Sequence, residues 1–315
     1  MRFFYVAVAE TRRDMLGAII ETIREWNERL KGRVEVGILV RYTKWRSRSC
    51  IPCIMAKENN IKVFIDNGAF SFLTAEDLET WPRLERLEFW LKDYSGWLQE
   101  REGEYDFAAL TDLPVHGKHF LEKRERLQRV ILSTLLQARL LSLLPDRVRP
   151  RMVPVLQGFT AGEYLWNYDL MEKLELLEET AYGGSGEYSR VLAVGSICVR
   201  KPSANGKTGI LADGAAAGTL DRVMHLLLNH FPPGVQGFHF FGLHREAVAN
   251  WGRHPRFFAA DSGAHGLNYR YKWRTVLGCT APNTPSCAAK AVDHQLKRTL
   301  APLLSESLEA YGVIG

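Results

Sequence analysis

Met152-Val-Pro-Val-Leu156 is a short apolar segment, and Thr160-Ala-Gly-Glu163 follows it at the start of a helical pattern that runs from Gly162 to Thr180. A threonine three residues before a glutamate has the spacing of a capping box, in which each side chain satisfies a backbone amide at the start of a helix. A strand that is apolar throughout and leads into an amphipathic helix is typical of a parallel sheet covered by helices.

The same alternation recurs along the first 260 residues. The predicted strands are Phe3–Val8, Val34–Val40, Ile61–Ile65, Asp106–Thr111, Met152–Leu156, Val191–Gly195, Val235–Phe240 and Arg256–Ala260. The predicted helices are Arg12–Leu30, Leu84–Leu98, Lys118–Leu144, Gly162–Thr180, Ala215–Phe231 and Arg245–Trp251. Eight such strands favour a closed barrel. An open doubly wound sheet is less favoured, because no Gly-x-Gly-x-x-Gly or Walker-type loop follows the first strand.

We therefore expect an α/β protein, a (β/α)8 TIM barrel over residues 1–265, with a short C-terminal extension of loop and helix over residues 266–315. A chain of 315 residues that is 46% hydrophobic and 24% charged can bury a large core, which excludes a disordered or fibrous protein. The net charge of +5 is compatible with a nucleic-acid partner but does not require one.

The apolar run at the N-terminus is too short for a secretory signal, and no window reaches about 18 uninterrupted apolar residues. We expect a cytoplasmic protein with no membrane partner.

Polar side chains stand where several predicted strands end. Asp66 ends the third strand, Asp112 the fourth, Gln157 the fifth and Asp261 the eighth. In this class of barrel, catalytic groups lie at the carboxyl ends of the strands. Any one of these aspartates could instead cap the next helix. Three such acids at one mouth would repel one another if all were charged and unpaired, so we interpret the set as a functional site.

These residue types fit one kind of chemistry well. Of two separate carboxylates, one can attack an anomeric carbon while the other transfers the proton of the leaving group. A third carboxylate, together with a carboxamide and backbone amides, matches the donors and acceptors of a guanine-like base. Phe70 or Phe241 can stack on the heterocycle. The pattern favours glycosyl transfer at a nucleoside.

The strand ends also form five short motifs between about residues 60 and 265. They are Asp66-Asn-Gly-Ala-Phe70, Val155-Leu-Gln-Gly158, Val194-Gly-Ser-Ile197, Phe241-Gly242 and the lone Asp261. In this order they resemble the tRNA-guanine transglycosylase superfamily, whose corresponding sequences are Asp-Ser-Gly-Gly-Phe, Val-Gln-Gly, Ile-Gly-Gly-Leu, Met-Gly and a nucleophilic aspartate. The first motif is closer still to the Asp-Ser-Gly-Ala-Phe form of the DpdA-type enzymes, which place 7-deazaguanine bases in DNA.

The resemblance implies a mechanism and a set of site residues. Asp261 would attack C1′ of the target nucleotide, and Asp66 would serve as general acid and base. Guanine leaves as the covalent intermediate forms, and a 7-deazaguanine such as preQ0 then loses its N9 proton and displaces Asp261. No organic cofactor is implied. The residues implied to hold the base are Asn67, Phe70, Asp112, Gln157, Gly195, Ser196 and Gly242.

This sequence departs from the superfamily pattern at three places. Asn67 replaces a serine, and Ser196 replaces the second glycine of Ile-Gly-Gly-Leu. The Pro-Thr-Arg stretch that usually follows the nucleophile is here Ser262-Gly-Ala-His265. These departures affect base contacts and substrate choice more than the nucleophile.

DNA is the expected polynucleotide, because archaeal tRNA enzymes of the superfamily carry C-terminal RNA-binding domains for which this sequence has no room. A base inside a duplex would have to be flipped out to reach the mouth of the barrel. Basic residues beside aromatic ones are candidates for phosphate contacts, with solvated loop charges as the alternative. These candidates are Lys44, Arg46 and Arg48 around Trp45, then Arg200 with Lys201, and Arg270, Lys272 and Arg274 around Tyr271 and Trp273.

The cysteines suggest a structural zinc ion. The superfamily usually holds zinc near its C-terminus with three cysteines and a histidine, whereas here Cys279, Cys287 and His294 have a different spacing. Cys50-Ile-Pro-Cys53 has the separation of a zinc knuckle, and it follows the second strand on the same face of the predicted barrel. We therefore expect Cys50, Cys53, Cys279 and Cys287 to form one tetrahedral zinc site. Buried thiols or a disulfide are the alternatives.

Together these features predict a pentosyltransferase that exchanges guanine for a 7-deazaguanine in DNA, with accessory modification proteins as further partners. One alternative is a compact tRNA-guanine transglycosylase of the queuine or archaeosine type. A retaining hydrolase of nucleosides or sugars would use the same acids with water as the acceptor. An inactive paralogue that serves as a nucleic-acid-binding subunit is the non-enzymatic alternative, and the presence of both Asp66 and Asp261 counts against it.

Overall fold

The computed structural model describes residues 1–8, 11–45, 49–69, 82–115, 122–197, 220–262 and 274–308. Its strands are β1 Phe3–Ala7, β2 Glu35–Arg41, β3 Val63–Asp66, β4 Phe107–Ala109, β5 Met152–Val153, β6 Val155–Leu156, β7 Val191–Val194, β8 Gly237–Phe240 and β9 Phe257–Ser262. All nine are parallel and form one sheet in the order β5-β4-β3-β2-β1-β9-β8-β7-β6. Because Pro154 alone separates β5 from β6, the two ends of this order meet. The sheet is therefore a nearly closed (β/α)8 barrel, which confirms the expected fold class.

Helices connect the strands on the outside of the barrel. They are α1 Arg13–Leu30, α2 Tyr42–Trp45, α3 Ile51–Glu58, α4 Leu84–Glu100, α5 Lys123–Leu143, α6 Ala161–Lys173, α7 Leu220–His230, α8 Arg245–Trp251 and α9 Pro285–Leu308. The predicted starts at Lys118 and Ala215 lie outside the described residues, and α6 ends before Thr180. The predicted capping box is present, since Thr160 Oγ1 accepts from the Glu163 amide at 3.3 Å and the Glu163 carboxylate accepts from the Thr160 amide at 3.4 Å.

The final helix, α9, packs against α1 and α8. The Trp26 indole of α1 donates to Asp293 at 3.1 Å, and Ala288, Val292 and Leu296 of α9 are fully buried. The helix expected in this region is thus part of the layer that covers the barrel between its last and first strands. The expected boundary near residue 265 falls in a stretch that the structure does not describe. No helix of the described ranges is long and apolar enough to cross a bilayer.

The fifth barrel strand is split because Pro154 has no amide hydrogen to contribute to a sheet. Leu110 still donates to the Val153 carbonyl at 3.0 Å, but beyond this point the ladder on that side stops. The buried side chain of Gln137, from α5, takes its place. Its Oε1 accepts from the Val155 amide and its Nε2 donates to the Val155 carbonyl, each at 2.9 Å. The Gln137 carboxamide thereby makes the two hydrogen bonds with Val155 that a neighbouring strand would otherwise make.

The barrel interior is filled by side chains that alternate with those facing the helices. Phe3, Tyr5, Phe64 and Tyr188 belong to the inner cluster, whereas the larger cluster lies between the sheet and the helices. This packed interior leaves the carboxyl ends of the strands as the place where polar groups can gather.

We expect Gln137→Leu to lower the free energy of unfolding by about 3 kcal/mol, because it leaves a buried amide and a buried carbonyl of Val155 without partners. Urea denaturation of both proteins measures the difference. The matched control is Arg139→Gln, an exposed position on the same helix, which should change stability by less than about 0.5 kcal/mol. Equal stability of Gln137→Leu and the control would contradict the bridging role.

Candidate active site

Four polar side chains that follow four barrel strands form one continuous chain of hydrogen bonds. Asn67 Nδ2 donates to Asp112 Oδ1 at 2.5 Å, and Gln157 Nε2 donates to Asp112 Oδ2. Ser196 Oγ donates to Gln157 Oε1 at 2.5 Å. All four side chains are buried. The structure thus brings Asp112 and Gln157, which were selected because each follows a predicted strand, together with Asn67 and Ser196, which only the resemblance implied.

Backbone groups determine which side-chain atoms of this hydrogen-bonded chain donate and which accept. The Ala69 amide donates to Asn67 Oδ1 at 2.9 Å, while Asn67 Nδ2 also donates to the Leu110 carbonyl at 2.7 Å. At the other end, the Val115 amide donates to Ser196 Oγ at 2.7 Å, so the serine hydrogen is left for the Gln157 oxygen. Both carboxamides must therefore turn their NH₂ groups toward Asp112.

Two opposing effects act on the pKa of Asp112. Burial raises the pKa of Asp112 to about 7, and the charge of Asp66 adds to this effect. The hydrogen bonds from Asn67 and Gln157 oppose it, since a donor stabilises the carboxylate. This carboxyl group therefore changes its protonation state close to neutral pH.

Gly195 leaves the room that the Gln157 side chain needs. A Cβ atom at Gly195 would overlap Gln157 Nε2 and would lie 3.2 Å from Asp112 Oδ2. The Gly195 carbonyl accepts from the Tyr164 hydroxyl at 2.7 Å, and the next residue, Ser196, has a positive φ of 58°. The backbone at Gly195 and Ser196 therefore lies directly beside the acid–amide chain.

Asp66 lies at the rim of the mouth, with 26% of its side chain exposed. Arg41 Nε donates to its Oδ2 at 3.3 Å, and the amide of Gly68, which has a φ of 71°, donates to its Oδ1 at 3.0 Å. Burial raises the pKa of Asp66 above its ordinary value, Arg41 opposes this, and the charge of Asp261 raises the pKa further. The charge of the predicted nucleophile is thus one of the influences on the pKa of Asp66.

Asp261 lies at the carboxyl end of β9 and is 5% exposed. Its Oδ1 accepts from the Gly242 amide at 3.0 Å, at a residue with a φ of 61°. Gly242 was expected to contact the base, and in the structure its amide contacts the predicted nucleophile. This contact fixes one oxygen of the carboxylate.

Below Asp261 is a buried histidine that the sequence analysis missed. His239 Nε2 lies 3.6 Å from Asp261 Oδ1, slightly beyond a hydrogen bond, and has no hydrogen-bond partner among the described residues. Its Nδ1 is 2.8 Å from the hydroxyl of Tyr188, which in turn donates to the hydroxyl of Tyr5 at 3.3 Å. Burial lowers the pKa of His239, and the neighbouring carboxylate of Asp261 opposes this effect. The only available signal was a polar residue within the apolar strand Gly237–Phe240.

Several predicted contacts fall outside the described residues. They are Phe70, Arg46, Arg48, Arg200, Lys201, Arg270 and Lys272. Lys44 is described and exposed in α2, directly after β2. The expected contacts with a polynucleotide at these positions stay predictions.

The cysteines pair locally instead of forming one cluster. Cys50 forms a disulfide with Cys53, three residues further along the chain. Cys279 forms a disulfide with Cys287, eight residues further along. The expectation that all four hold one zinc ion was wrong, because each thiol finds its partner in its own segment. Within the described ranges, one group of three could hold a metal ion, namely Cys50, Cys53 and Glu104, whose ligand atoms lie within 4.8 Å of one another.

Fold and site together define a (β/α)8 barrel with a buried acid–amide chain and two further acids at the carboxyl ends of its strands. No family model matches this chain, and no curated protein sequence matches it. The geometry of these residues is therefore the basis on which a function can be proposed.

We expect Asp112→Asn to change how stability depends on pH. Because the pKa of Asp112 is higher in the folded protein, folding favours its protonated form, and this contribution to stability is lost as the pH rises from about 4 to about 7. The unfolding free energy of the unmodified protein should fall by up to about 4 kcal/mol relative to that of the variant over this range.

Chemical denaturation at a series of pH values measures this difference. Asp146→Asn, at a position that is 96% exposed, is the control, and its unfolding free energy should depend on pH in the same way as that of the unmodified protein. The same pH dependence in Asp112→Asn as well would show that the environment of Asp112 does not raise its pKa.

Proposed function

We propose that this protein is a pentosyltransferase that replaces guanine in DNA by a 7-deazaguanine base such as preQ0. The observation that supports the proposal best is the hydrogen-bonded chain of Asn67, Asp112, Gln157 and Ser196, at the end of the barrel where Asp66 and Asp261 also end their strands. The resemblance of the motifs to guanine transglycosylases gives the same assignment.

The acid–amide chain complements one edge of guanine. Each carboxylate oxygen of Asp112 has a second lone pair, and together they can accept from the N1–H and the exocyclic amine. The second hydrogen of Gln157 Nε2 can donate to the carbonyl at C6. Such a pattern discriminates against adenine, because adenine would leave the buried acceptors of Asp112 without donors.

Asp261 and Asp66 have separate roles in the proposed reaction. Asp261 attacks C1′, the C1′–N9 bond breaks, and the electron pair stays on N9 of guanine, which takes a proton from Asp66. In the second half, N9 of the incoming base gives its proton to Asp66 and attacks C1′, and the bond to the Asp261 oxygen breaks. A raised pKa suits Asp66 to this alternation between acid and base.

Asp261 needs to remain an oriented carboxylate throughout. The Gly242 amide donates to one of its oxygens, and His239 Nε2 lies 3.6 Å from the same oxygen. Because the Tyr188 hydroxyl donates to Tyr5, Nδ1 of His239 is the donor to Tyr188, and this contact fixes the orientation of the imidazole ring. His239 therefore lies next to the nucleophile, beneath the mouth of the barrel.

Base exchange is tested with DNA and, separately, tRNA that carry labelled guanine, incubated with unlabelled preQ0. We expect release of more than one equivalent of label per protein molecule from DNA only when preQ0 is present, because formation of the covalent intermediate alone releases at most one equivalent. Release from tRNA alone would support the compact tRNA enzyme instead. Release of many equivalents without any added base would support a hydrolase, and release from neither polynucleotide would favour a binding subunit. Accessory modification proteins should be included in a parallel sample.

We expect Asp261→Asn to abolish the covalent adduct with the polynucleotide that survives denaturation, and to reduce release of guanine by about a thousandfold or more. Denaturing gel electrophoresis of the trapped complex measures the adduct. Asp169→Asn, at an exposed position of α6, is the control and should form as much adduct as the unmodified protein. An adduct that survives Asp261→Asn would assign the nucleophile to another residue.

We also propose that Cys50 and Cys53, when reduced, bind zinc together with Glu104. Two thiolates and a carboxylate within 4.8 Å of one another are ligands that zinc accepts, with water in the fourth position. The Cys50 amide already donates to the Glu104 carboxylate, which orients it toward the pair. The disulfide and the metal compete for the same sulfur atoms.

Metal analysis of protein purified with a reductant tests this site. We expect one equivalent of zinc, which is lost in Cys53→Ser and kept in Cys287→Ser, the control in the other pair. Zinc that persists in Cys53→Ser, or zinc absent from the reduced protein, would contradict the assignment.

A further inference from the structure

His239 is a polar side chain in the interior of the barrel, and the reaction proposed above assigns it no step. Its ring is fully buried and packs against the rings of Tyr5, Phe64 and Phe241, at centroid distances of 5.4, 4.6 and 4.8 Å. A buried imidazole destabilises a fold unless both of its ring nitrogens have hydrogen-bond partners. The partners of the two nitrogens of His239 therefore indicate what this residue does.

The hydroxyl of Tyr188 determines which ring nitrogen of His239 carries the hydrogen. This hydroxyl donates its one hydrogen to Tyr5 at 3.3 Å, so its 2.8 Å contact with His239 Nδ1 needs a hydrogen from the ring. The neutral ring therefore carries its hydrogen on Nδ1, and its Nε2 has a lone pair. That Nε2 atom is buried and has no hydrogen-bond partner in the described part of the chain.

The lone pair of His239 Nε2 is next to the predicted nucleophile. Asp261 Oδ1 lies 3.6 Å from this nitrogen, and both atoms are acceptors when the ring is neutral and the carboxyl group is ionised. Two acceptors this close repel each other, because each presents negative charge to the other. One proton added to Nε2 would give an imidazolium ring that donates to Tyr188 through Nδ1 and to Asp261 through Nε2. A single proton therefore provides partners for both nitrogens and for the carboxylate.

Asp261 is the charged group that acts on this proton. Burial lowers the pKa of His239, and the carboxylate of Asp261 opposes burial. The neighbours in register on the two flanking strands have no titratable group, and they are Ala193 and Ala259. The other titratable side chains that contact the ring among the described residues are Tyr5 and Tyr188. Burial raises the pKa of both tyrosines, so both stay uncharged below pH 10.

We infer that His239 is a positioning residue that holds one proton against Asp261 and thereby controls the reactivity of the nucleophile. When Nε2 carries the proton, it donates to Asp261 Oδ1, and the carboxylate is neutralised and less nucleophilic. When Nε2 is bare, its lone pair repels the carboxylate, and attack on C1′ relieves this repulsion because the ester oxygen carries no full charge. The proton is taken from solvent and returned to it. The control of reactivity rests on the proposed function, whereas the shared proton does not.

The first test observes the ring directly and needs no substrate. Two-dimensional NMR of protein with histidine labelled by nitrogen-15 gives the tautomer and the pKa of each ring. The signal of His239 is identified by its loss in His239→Gln and by its shift in Tyr188→Phe. We expect the hydrogen of the neutral ring on Nδ1. In Asp261→Asn we expect the affinity of Nε2 for a proton to fall about tenfold or more, because the stabilising charge is gone.

The control for this titration is Asp169→Asn, at an exposed position of α6, which should leave the pKa of His239 unchanged. Equal pKa values of His239 in Asp261→Asn and Asp169→Asn would overturn the inference. A neutral ring with its hydrogen on Nε2 would also overturn it, as would a ring that stays neutral down to about pH 4.5 in the unmodified protein.

The second test measures the rate of adduct formation with the polynucleotide from about pH 5 to about pH 8. The rate for the unmodified protein should fall as the pH drops through the pKa of His239 that NMR gives. Glutamine is polar but does not titrate, so in His239→Gln the fall should move about one pH unit or more lower, to the titration of Asp261 itself. The control is His230→Gln, at an exposed histidine of α7, which should keep the pH profile of the unmodified protein.

The two tests separate this inference from the proposed function. The expected change of the His239 pKa in Asp261→Asn, with no adduct at any pH, would support the shared proton and overturn the transglycosylase. An adduct whose rate depends on pH in the same way in His239→Gln and in His230→Gln would overturn the role of His239 alone. A purely structural role of His239 would lower the rate equally at every pH, and this result would overturn the inference as well.

Discussion

Asp112 is a carboxyl group buried between two side-chain amides, Asn67 from the end of β3 and Gln157 from the end of β6. Burial alone would keep the group protonated, and the two donors oppose burial, so its pKa lies near 7. The contacts also connect the ends of neighbouring strands at the point where the sheet ladder is interrupted by Pro154. Gly195 must lack a side chain for Gln157 to reach the acid, because a Cβ atom there would overlap Gln157 Nε2.

The other two acids are in different environments, and this difference is the basis of the roles proposed for them. Asp66 is at the rim, paired with Arg41, and its pKa is raised by burial and by the charge of Asp261. Asp261 is deeper, with one oxygen on a backbone amide and the buried ring of His239 beneath it. Carboxyl groups whose environments differ in this way are the usual basis for dividing acid–base and nucleophilic roles.

Much of this could be predicted from the sequence. The apolar strands predicted the barrel, and the position of Asp112 and Gln157 at strand ends predicted that they would meet, whereas Asn67 and Ser196 were implied by the resemblance alone. His239 could not be found in this way, because a polar residue that points into the barrel looks the same in sequence as one that points outward. Gln137 gave no signal either, since its role depends on the missing ladder beside Pro154. The cysteine pairs depend on loops and helix starts, whose positions no periodicity defines.

The most direct measurement is a crystal structure of the protein with preQ0 and a short single-stranded DNA. We expect the edge of the base on Asp112 and Gln157, its N9 atom between Asp66 and Asp261, and the C1′ atom of the target nucleotide about 3 to 3.5 Å from an oxygen of Asp261. A base bound elsewhere on the barrel, with Asp112 buried away from it, would contradict the assignment of this site to base exchange.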